Sequence, residues 1–270
     1  MAAIQTLKKQ LRGIRSTQKL TKAMKTVSTV KFSKLNGMYG GYAPYGDRCR
    51  RLMAQYGARL CKAMGSVQED APELVVILGS NKGLCGSFNA EVFRYAAQVL
   101  AEKPNAWVAA VGKKTVSYCD DKQIPVVLKE SLNDLPTYEE SGALFDRLLA
   151  LRQTGKVSRI TVVYPRYKNM MIQIPSSCEL FDGKDGEETD IALFVPDEET
   201  VVATVAQTAF RAMFYDLVLQ TALGAQAATL MTMRSAYDTA TGYCAELEGQ
   251  INRQRQSAVT ADVLETSVER

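Results

Sequence analysis

Histidine is absent from all 270 residues of the chain. That removes the commonest general base, every histidine-dependent catalytic triad and the usual zinc sites. Six cysteines are present (Cys49, Cys61, Cys85, Cys119, Cys178 and Cys244), with no CxxC pair and no framework spacing. They read as free thiols of a reducing compartment, and no secretory signal is expected. Without an uninterrupted run of about 18 apolar residues, no membrane span is expected, so membrane association has to come through a partner. Proline is missing where it would break long helices. The first 35 residues lack it, and the last proline is Pro196, which leaves the 74 residues of 197–270 without one. Helical throughout, that final stretch reaches roughly 110 Å. One core cannot bury two helices of such length, so the two ends are expected to bury each other.

Charge supports that pairing. Residues 1–62 hold fourteen lysines and arginines against a single acid, Asp47, a net of +13. Residues 197–270 hold ten acids and five arginines, with no lysine, a net of −5. A basic and an acidic helix in one chain attract each other. Ile4, Leu7, Leu11 and Ile14 follow the 3–4–3 spacing of a coiled-coil seam. An amphipathic helix lying on a core would show the same stripe. Beyond it the apolar positions drift to Leu20, Met24 and Val27. Gly37, Gly40, Gly41 and Pro44 are expected to interrupt the helix, with a second basic stretch running from about Arg48 to Met64. At the other end Leu223, Leu230, Tyr237, Cys244, Ile251 and Ala258 fall seven apart, with Met233, Ala240 and Leu247 as companions. Gly224, Gly242 and Gly249 each cost about 1 kcal/mol in a helix interior, so packing must hold that helix together.

Between the ends the periodicity changes. Apolar runs at 74–78, 107–111, 126–128 and 160–164 read as buried strands. Helical stretches at about 90–103, 114–121 and 138–153 alternate with them, which implies a mostly parallel sheet covered on both faces. Residues 171–174 and 191–195 look like edge strands, separated by the turn residues 182–186. The expected fold is therefore α/β: a long antiparallel coiled coil of the N- and C-terminal helices plus a central Rossmann-like domain. The boundaries are 1–66, 67–196 and 197–270.

The loop from Gly79 to Asn89 carries three glycines between a strand and a helix, where phosphate cradles form. Gly-Lys-Ser/Thr is absent and GxGxxG does not fit, so a tight turn with unusual backbone angles is the competing reading. Cys85 at a helix start has the placement of a reactive thiol, but the chain offers no histidine to activate it. The basic N-terminal face could bind nucleic acid or anionic lipid. The alternative function is accordingly a basic coiled-coil nucleic-acid-binding protein with a Rossmann-like domain. Against it, no recognition motif or alternating aromatics are present, and the acidic C-terminal helix offers an internal partner.

Three stretches carry a resemblance to a known family. Thr17-Gln18-Lys19-Leu20-Thr21-Lys22-Ala23-Met24-Lys25 is similar to the N-terminal TQxITKAM segment of the gamma subunit of the rotary F-type ATP synthase. Gly83-Leu84-Cys85-Gly86-Ser87-Phe88-Asn89 resembles its GLCG turn, and Arg255-Gln256-Ser257-Ala258-Val259-Thr260-Ala261-Asp262 its C-terminal RQAxITxE. Pro44-Tyr45 also falls where that family often has Pro-Tyr. The resemblance spans essentially the whole chain. It implies a non-catalytic central stalk without cofactor or metal, partnered by the alpha and beta subunits of the catalytic hexamer, the epsilon subunit and the membrane c-subunit ring. Nucleic acid is not among the implied partners. The implied place is the cytoplasmic face of the bacterial inner membrane. Implied contacts to the alpha/beta ring are Lys22, Met24, Lys25, Arg255, Gln256, Thr260 and Asp262. The family's Glu and Arg of the preceding stretch fall on Ala225 and Thr229, and its Gly-Ala tail is replaced by Ser267-Val268-Glu269-Arg270. The chloroplast form's thiol-switch insertion is not apparent, so no redox regulation is expected.

Overall fold

The apolar runs at 74–78, 107–111 and 160–164 become strands because helices bury them on both sides. A computed structural model describes residues 2–65, 71–181 and 197–268 of the chain. In chain order the elements are α1 (Ala2–Ala63), β1 (Leu74–Leu78), α2 (Phe88–Glu102), β2 (Trp107–Val111), α3 (Lys113–Asp121) and β3 (Val126–Glu130). They are followed by α4 (Tyr138–Gln153), β4 (Ile160–Tyr167), β5 (Gln173–Glu179) and α5 (Glu198–Val268). No helix among the described residues is long and apolar enough to cross a membrane. Contacts divide the chain into two units, Met1–Thr29 with Thr229–Arg270, and Val30–Ala228.

In the second unit the strands form one five-stranded sheet in the order β3-β2-β1-β4-β5, parallel except for β5. Its two faces are served by alternate residues of each strand. Val75, Ile77, Val108, Ala110 and Val163 pack with Val92, Ala96 and Val99 of α2 and Cys119 of α3. Leu74, Val76, Ala109, Val111, Ile160 and Val162 face α4 and α5, where Phe145, Leu148, Phe210 and Phe214 are fully buried. This is the expected Rossmann-like arrangement. Edge strand β3 alternates half-buried and exposed residues and slips register between Val108 and Ala109, leaving Val127 outward.

Three expectations change. Helix α1 runs through Gly37, Gly40, Gly41 and Pro44 without interruption. Proline inside a helix costs about 3 kcal/mol and each glycine about 1, and tertiary packing opposes that. Leu35 is fully buried against Leu219 and Leu223, the Tyr42 hydroxyl donates to the Ala212 carbonyl at 2.7 Å, and Cys49 packs on Ala209 and Ala212. The irregularity falls instead at Tyr56 (φ −127°, ψ 15°). Next, the edge strand expected at 171–174 begins at Gln173 and extends through Pro175, Ser176 and Ser177 to Glu179, as the antiparallel partner of β4. Met171 and Ile172 sit at the hairpin tip, exposed, with their amides held by the Asn169 side chain at 2.9 Å. The turn at 182–186 and the strand at 191–195 lie outside the described residues. The third change concerns the seam of the long helices and is taken up below.

Two glycines are required at the C-terminal end of the sheet. Gly112 adopts φ +104°, and a Cβ there would lie 2.5 Å from the Gly79 carbonyl; one on Gly79 would lie 2.3 Å from the Thr115 hydroxyl. The loop between them and α2 is closed by its own side chains. Asn89 accepts from the Ser80 amide at 3.2 Å and donates to Cys85 Sγ at 3.2 Å, while Leu84 and Gly86 take positive φ. Cys85 is buried against Phe88 and Ala225, which withdraws its thiol from solvent.

Two polar devices fasten α1 to the sheet. Buried Arg152 of α4 donates to the carbonyls of Met64 at 2.9 Å and Gly65 at 3.2 Å and lies over the Phe181 ring. It thereby caps the C-terminus of α1, where helix carbonyls lack partners. Arg152→Leu should lower unfolding free energy by about 2–3 kcal/mol, since two carbonyls lose a charged donor. Arg152→Lys should recover only part, because an ammonium does not reproduce the planar fork; denaturant midpoints of the three proteins check this.

Asp134 is shared by Lys31 of α1 at 2.5 Å and Lys82 of the β1–α2 loop at 2.9 Å. Burial alone would raise its carboxyl, but hydrogen bonds and charge from the two lysines outweigh that and hold it at about 2. A depressed carboxylate stabilises above its unfolded pKa and loses that contribution as pH falls through the folded one. Stability should therefore drop between about pH 4 and pH 2, and Asp134→Asn should flatten this part of the acid-denaturation profile.

Candidate partner-binding faces of the helix pair

In the first unit α1 and α5 pair antiparallel. Arg15 meets Glu248 at 2.7 Å, Gln18 donates to Thr241 Oγ1 at 2.8 Å, and Lys25 Nζ stands 5.1 Å from the Tyr237 ring centroid. Residue numbers rise on one helix as they fall on the other. The α5 side of the seam follows the 3–4 spacing of Met233, Tyr237, Ala240, Cys244, Leu247 and Ile251, with Met233, Ala240 and Cys244 buried. Ala258, expected to continue it, is exposed. Residues 252–258 offer no large apolar side chain to sustain the seam.

On α1 the seam does not drift. After Ile4, Leu7, Leu11 and Ile14 the inward positions are Gln18, Thr21, Lys25 and Ser28, a continued seven-residue repeat in polar residues, with Thr21 and Ser28 buried. Thr21 satisfies its hydroxyl on the Thr17 carbonyl at 3.0 Å. Leu20 and Val27 are 61% and 56% exposed. The apolar residues therefore mark an outward stripe, and only their hydrophobicity made them look like seam.

That corrected stripe bears on the predicted contact residues. Leu20, Met24 and Val27 fall at i, i+4 and i+7, one face of a helix. Met24 is half-buried and Lys22 is exposed. Lys25 leans on Tyr237, so part of its charge is engaged within the chain. At the far end of α5, Arg255, Gln256 and Thr260 are all exposed, and the Thr260 hydroxyl donates to the Gln256 carbonyl at 2.9 Å. The Asp262 side chain lies outside the described residues. Gln256, Val259, Thr260 and Val263 share one helix face by the same spacing, with Val259 55% and Val263 60% exposed. Tyr237 and Gln256 are about 28 Å apart along the helix axis. The predicted residues therefore form two separate faces and not one site. Leu20, Val27, Val259 and Val263 are exposed apolar side chains on the same two faces. Their signal was an apolar side chain at i+3 or i+4 from a predicted contact residue, off the seam.

Among the described residues these faces carry no acid–base or nucleophilic constellation; what they offer is apolar and polar contact area on two paired helices. Comparison with known proteins gives the arrangement a lineage. A family model described as ATP synthase matches residues 3–267. Among curated proteins, the ATP synthase gamma chain of Gluconobacter oxydans is 28% identical, covering 98% of this chain and 97% of its own length. That of Symbiobacterium thermophilum is 27% identical over 97% and 95%. Among solved structures, a chain of the Euglena gracilis mitochondrial ATP synthase (OSCP/F1/c-ring) superposes with a TM-score of 0.70 at 19% identity, covering 98% of this chain and 92% of its own. A chain of the rotor of the same enzyme gives 0.67 over 96% and 99%. The model spans almost the whole length and the gamma chains align end to end, so this chain belongs to the ATP synthase family, in which these relatives are gamma chains.

Proposed function

We propose that the chain works as the non-catalytic central-stalk rotor of a bacterial F-type ATP synthase, coupling ion flow through a membrane c-subunit ring to ATP synthesis or hydrolysis at the beta subunits. The observation that carries this is the antiparallel seam joining the two ends of the chain, Arg15 with Glu248, Gln18 with Thr241 and Lys25 with Tyr237, in a member of the gamma-chain lineage. In this reading segments 1–66 and 197–270 supply the shaft that turns inside the alpha/beta hexamer. Segment 67–196 supplies the domain that meets epsilon and the c ring. The chain is peripheral, held at the cytoplasmic face of the inner membrane by its partners. ATP chemistry stays in the beta subunits, and the asymmetric shaft selects which of their conformations is favoured.

The contact residues toward the hexamer are Lys22, Met24, Lys25, Arg255, Gln256, Thr260 and Asp262, now joined by Leu20, Val27, Val259 and Val263. Where the family has a glutamate, Ala225 is buried against Cys85 and Phe88, so that position supplies packing and no ionic contact.

Co-purification tests the assignment. Expressed with the alpha and beta subunits of a bacterial F-type ATP synthase from the same source, the chain should form a stable complex with ATPase activity, and failure to co-assemble overturns the reading. Within that complex, alanine at both Gln256 and Thr260 should reduce ATP-driven rotation while the isolated chain keeps its thermal midpoint. Unchanged rotation removes their role. Leu20→Asp combined with Val27→Asp should weaken hexamer binding at least tenfold, the scale expected for two buried apolar side chains at about 25 cal/mol per Å². Because both side chains point outward in the free chain, its stability should stay within about 0.5 kcal/mol of wild type.

A further inference from the structure

A cleft of about 610 Å³ opens in the second unit between α1, the start of α4 and α5. Its walls are aromatic. Tyr42 packs edge to face with Tyr45 (centroids 5.6 Å apart, 66°) and with Tyr215 (4.9 Å, 86°), and Tyr138 packs the same way on Tyr215 (5.4 Å, 87°). Two of these rings are anchored by their hydroxyls, Tyr42 on the Ala212 carbonyl at 2.7 Å and Tyr215 on the Pro136 carbonyl at 3.2 Å. They therefore turn fixed carbon surfaces to a guest.

The polar groups at the cleft are one guanidinium, hydroxyls and an amide. Arg211 gives one nitrogen to Asp146 and is otherwise partly exposed, while its Nε and the second Asp146 oxygen are buried without a partner. Helix α4 presses on its stem: a Cβ on Gly142 would lie 2.6 Å from that Nε, so only glycine admits the guanidinium in this position. The Tyr138 hydroxyl and the Gln207 amide at the rim have no hydrogen-bond partner among the described residues. Thr208 spends its hydrogen on the Thr204 carbonyl at 2.8 Å. The guanidinium, the one donor-only group here, favours an anionic head on a flat apolar body, and the phenol and amide can each donate to that head. A neutral apolar guest would strip water from these polar groups without replacing it.

We propose that this cleft binds a small aromatic carboxylate, its ring between the tyrosines and its carboxylate on Arg211 and Tyr138. The volume lies within the roughly 300–1,000 Å³ of small-molecule sites, and guanidinium and carboxylate are matched in shape and charge. Because α1, α4 and α5 each contribute a wall, occupancy would tie the three helices together and raise thermal stability by mass action.

The test uses 2-naphthoate as probe with the full-length chain, read by ligand-observed NMR and calorimetry. The expected result is saturable binding at a single site, weakened about tenfold or more by Arg211→Gln, the scale of a lost charge-assisted hydrogen bond. Gln207→Glu, an exposed rim substitution that leaves the Arg211–Asp146 pair intact, should weaken it similarly by repelling the carboxylate. The neutral analogue 2-naphthylmethanol should bind at least tenfold more weakly. No saturable binding by the folded wild-type chain at millimolar probe overturns the proposal. So does equal affinity for the neutral analogue, or indifference to Gln207→Glu when Arg211→Gln is also indifferent or unfolded.

Discussion

The packing of α1 on α5 is the constraint from which the other features follow. Helix α1 carries three glycines and a proline within eight residues, enough intrinsic penalty to end an isolated helix. It continues because each turn there has something to bury: Leu35 on Leu219 and Leu223, Tyr42 on Ala212, Cys49 on Ala209 and Ala212. The same helix pair closes one face of the sheet through Leu60, Met64, Phe210 and Phe214. Propensity sets what the segment would do alone, and partner surface decides what it does.

Electrostatics plays a smaller part than the charge count suggests. Of the opposite charges on the two long helices, Arg15–Glu248, Arg50–Asp216 and Arg59–Glu198 form pairs. The first and last are largely exposed, and pairs of that kind contribute about 0–1 kcal/mol. Arg50–Asp216 differs, since the carboxylate is buried and also accepts from Gln220 at 2.7 Å, whose own carbonyl accepts from the Tyr167 amide. Burial pushes Asp216 up, against the pull of Arg50. The network costs desolvation and in return fixes which residue of α1 faces which of α5. Lys31 on Asp134 and Lys25 over Tyr237 are also engaged within the chain.

Local pattern made the α/β region legible and left long-range contact invisible. Strands β1 and β2 are unbroken apolar runs with burial on both faces, and β4 opens on one interrupted only by Thr161, so their sequence could mean little else. Strand β5 was missed past Ile174 because Pro175, Ser176 and Ser177 carry no strand signal; its pairing to β4 holds it. Leu20 and Val27 were read as seam because apolar residues usually face inward, while Gln18, Thr21 and Ser28 kept the seven-residue count that defined the true seam. Arg152 looked like an ordinary helix-terminal charge, and only the folded chain brings it to the end of α1, 88 positions away. The four tyrosines of the cleft come from three helices, so no spacing rule could collect them. The proposed contact residues near Thr17–Lys25 and Arg255–Asp262 rest on resemblance, and only the register shows their separation along the helices.

The polar stretch of the coiled-coil seam has a mechanical consequence. A seam of leucines alone is indifferent to a seven-residue lengthwise shift, because every knob finds an equivalent hole. Gln18 on Thr241 and Lys25 over Tyr237 break that equivalence, and a slipped pair would bury an amide and an ammonium against side chains that do not answer them. Two helices held this way resist sliding past each other under load, so a twisting force applied at one end is delivered at the other as rotation instead of being lost in creep along the axis.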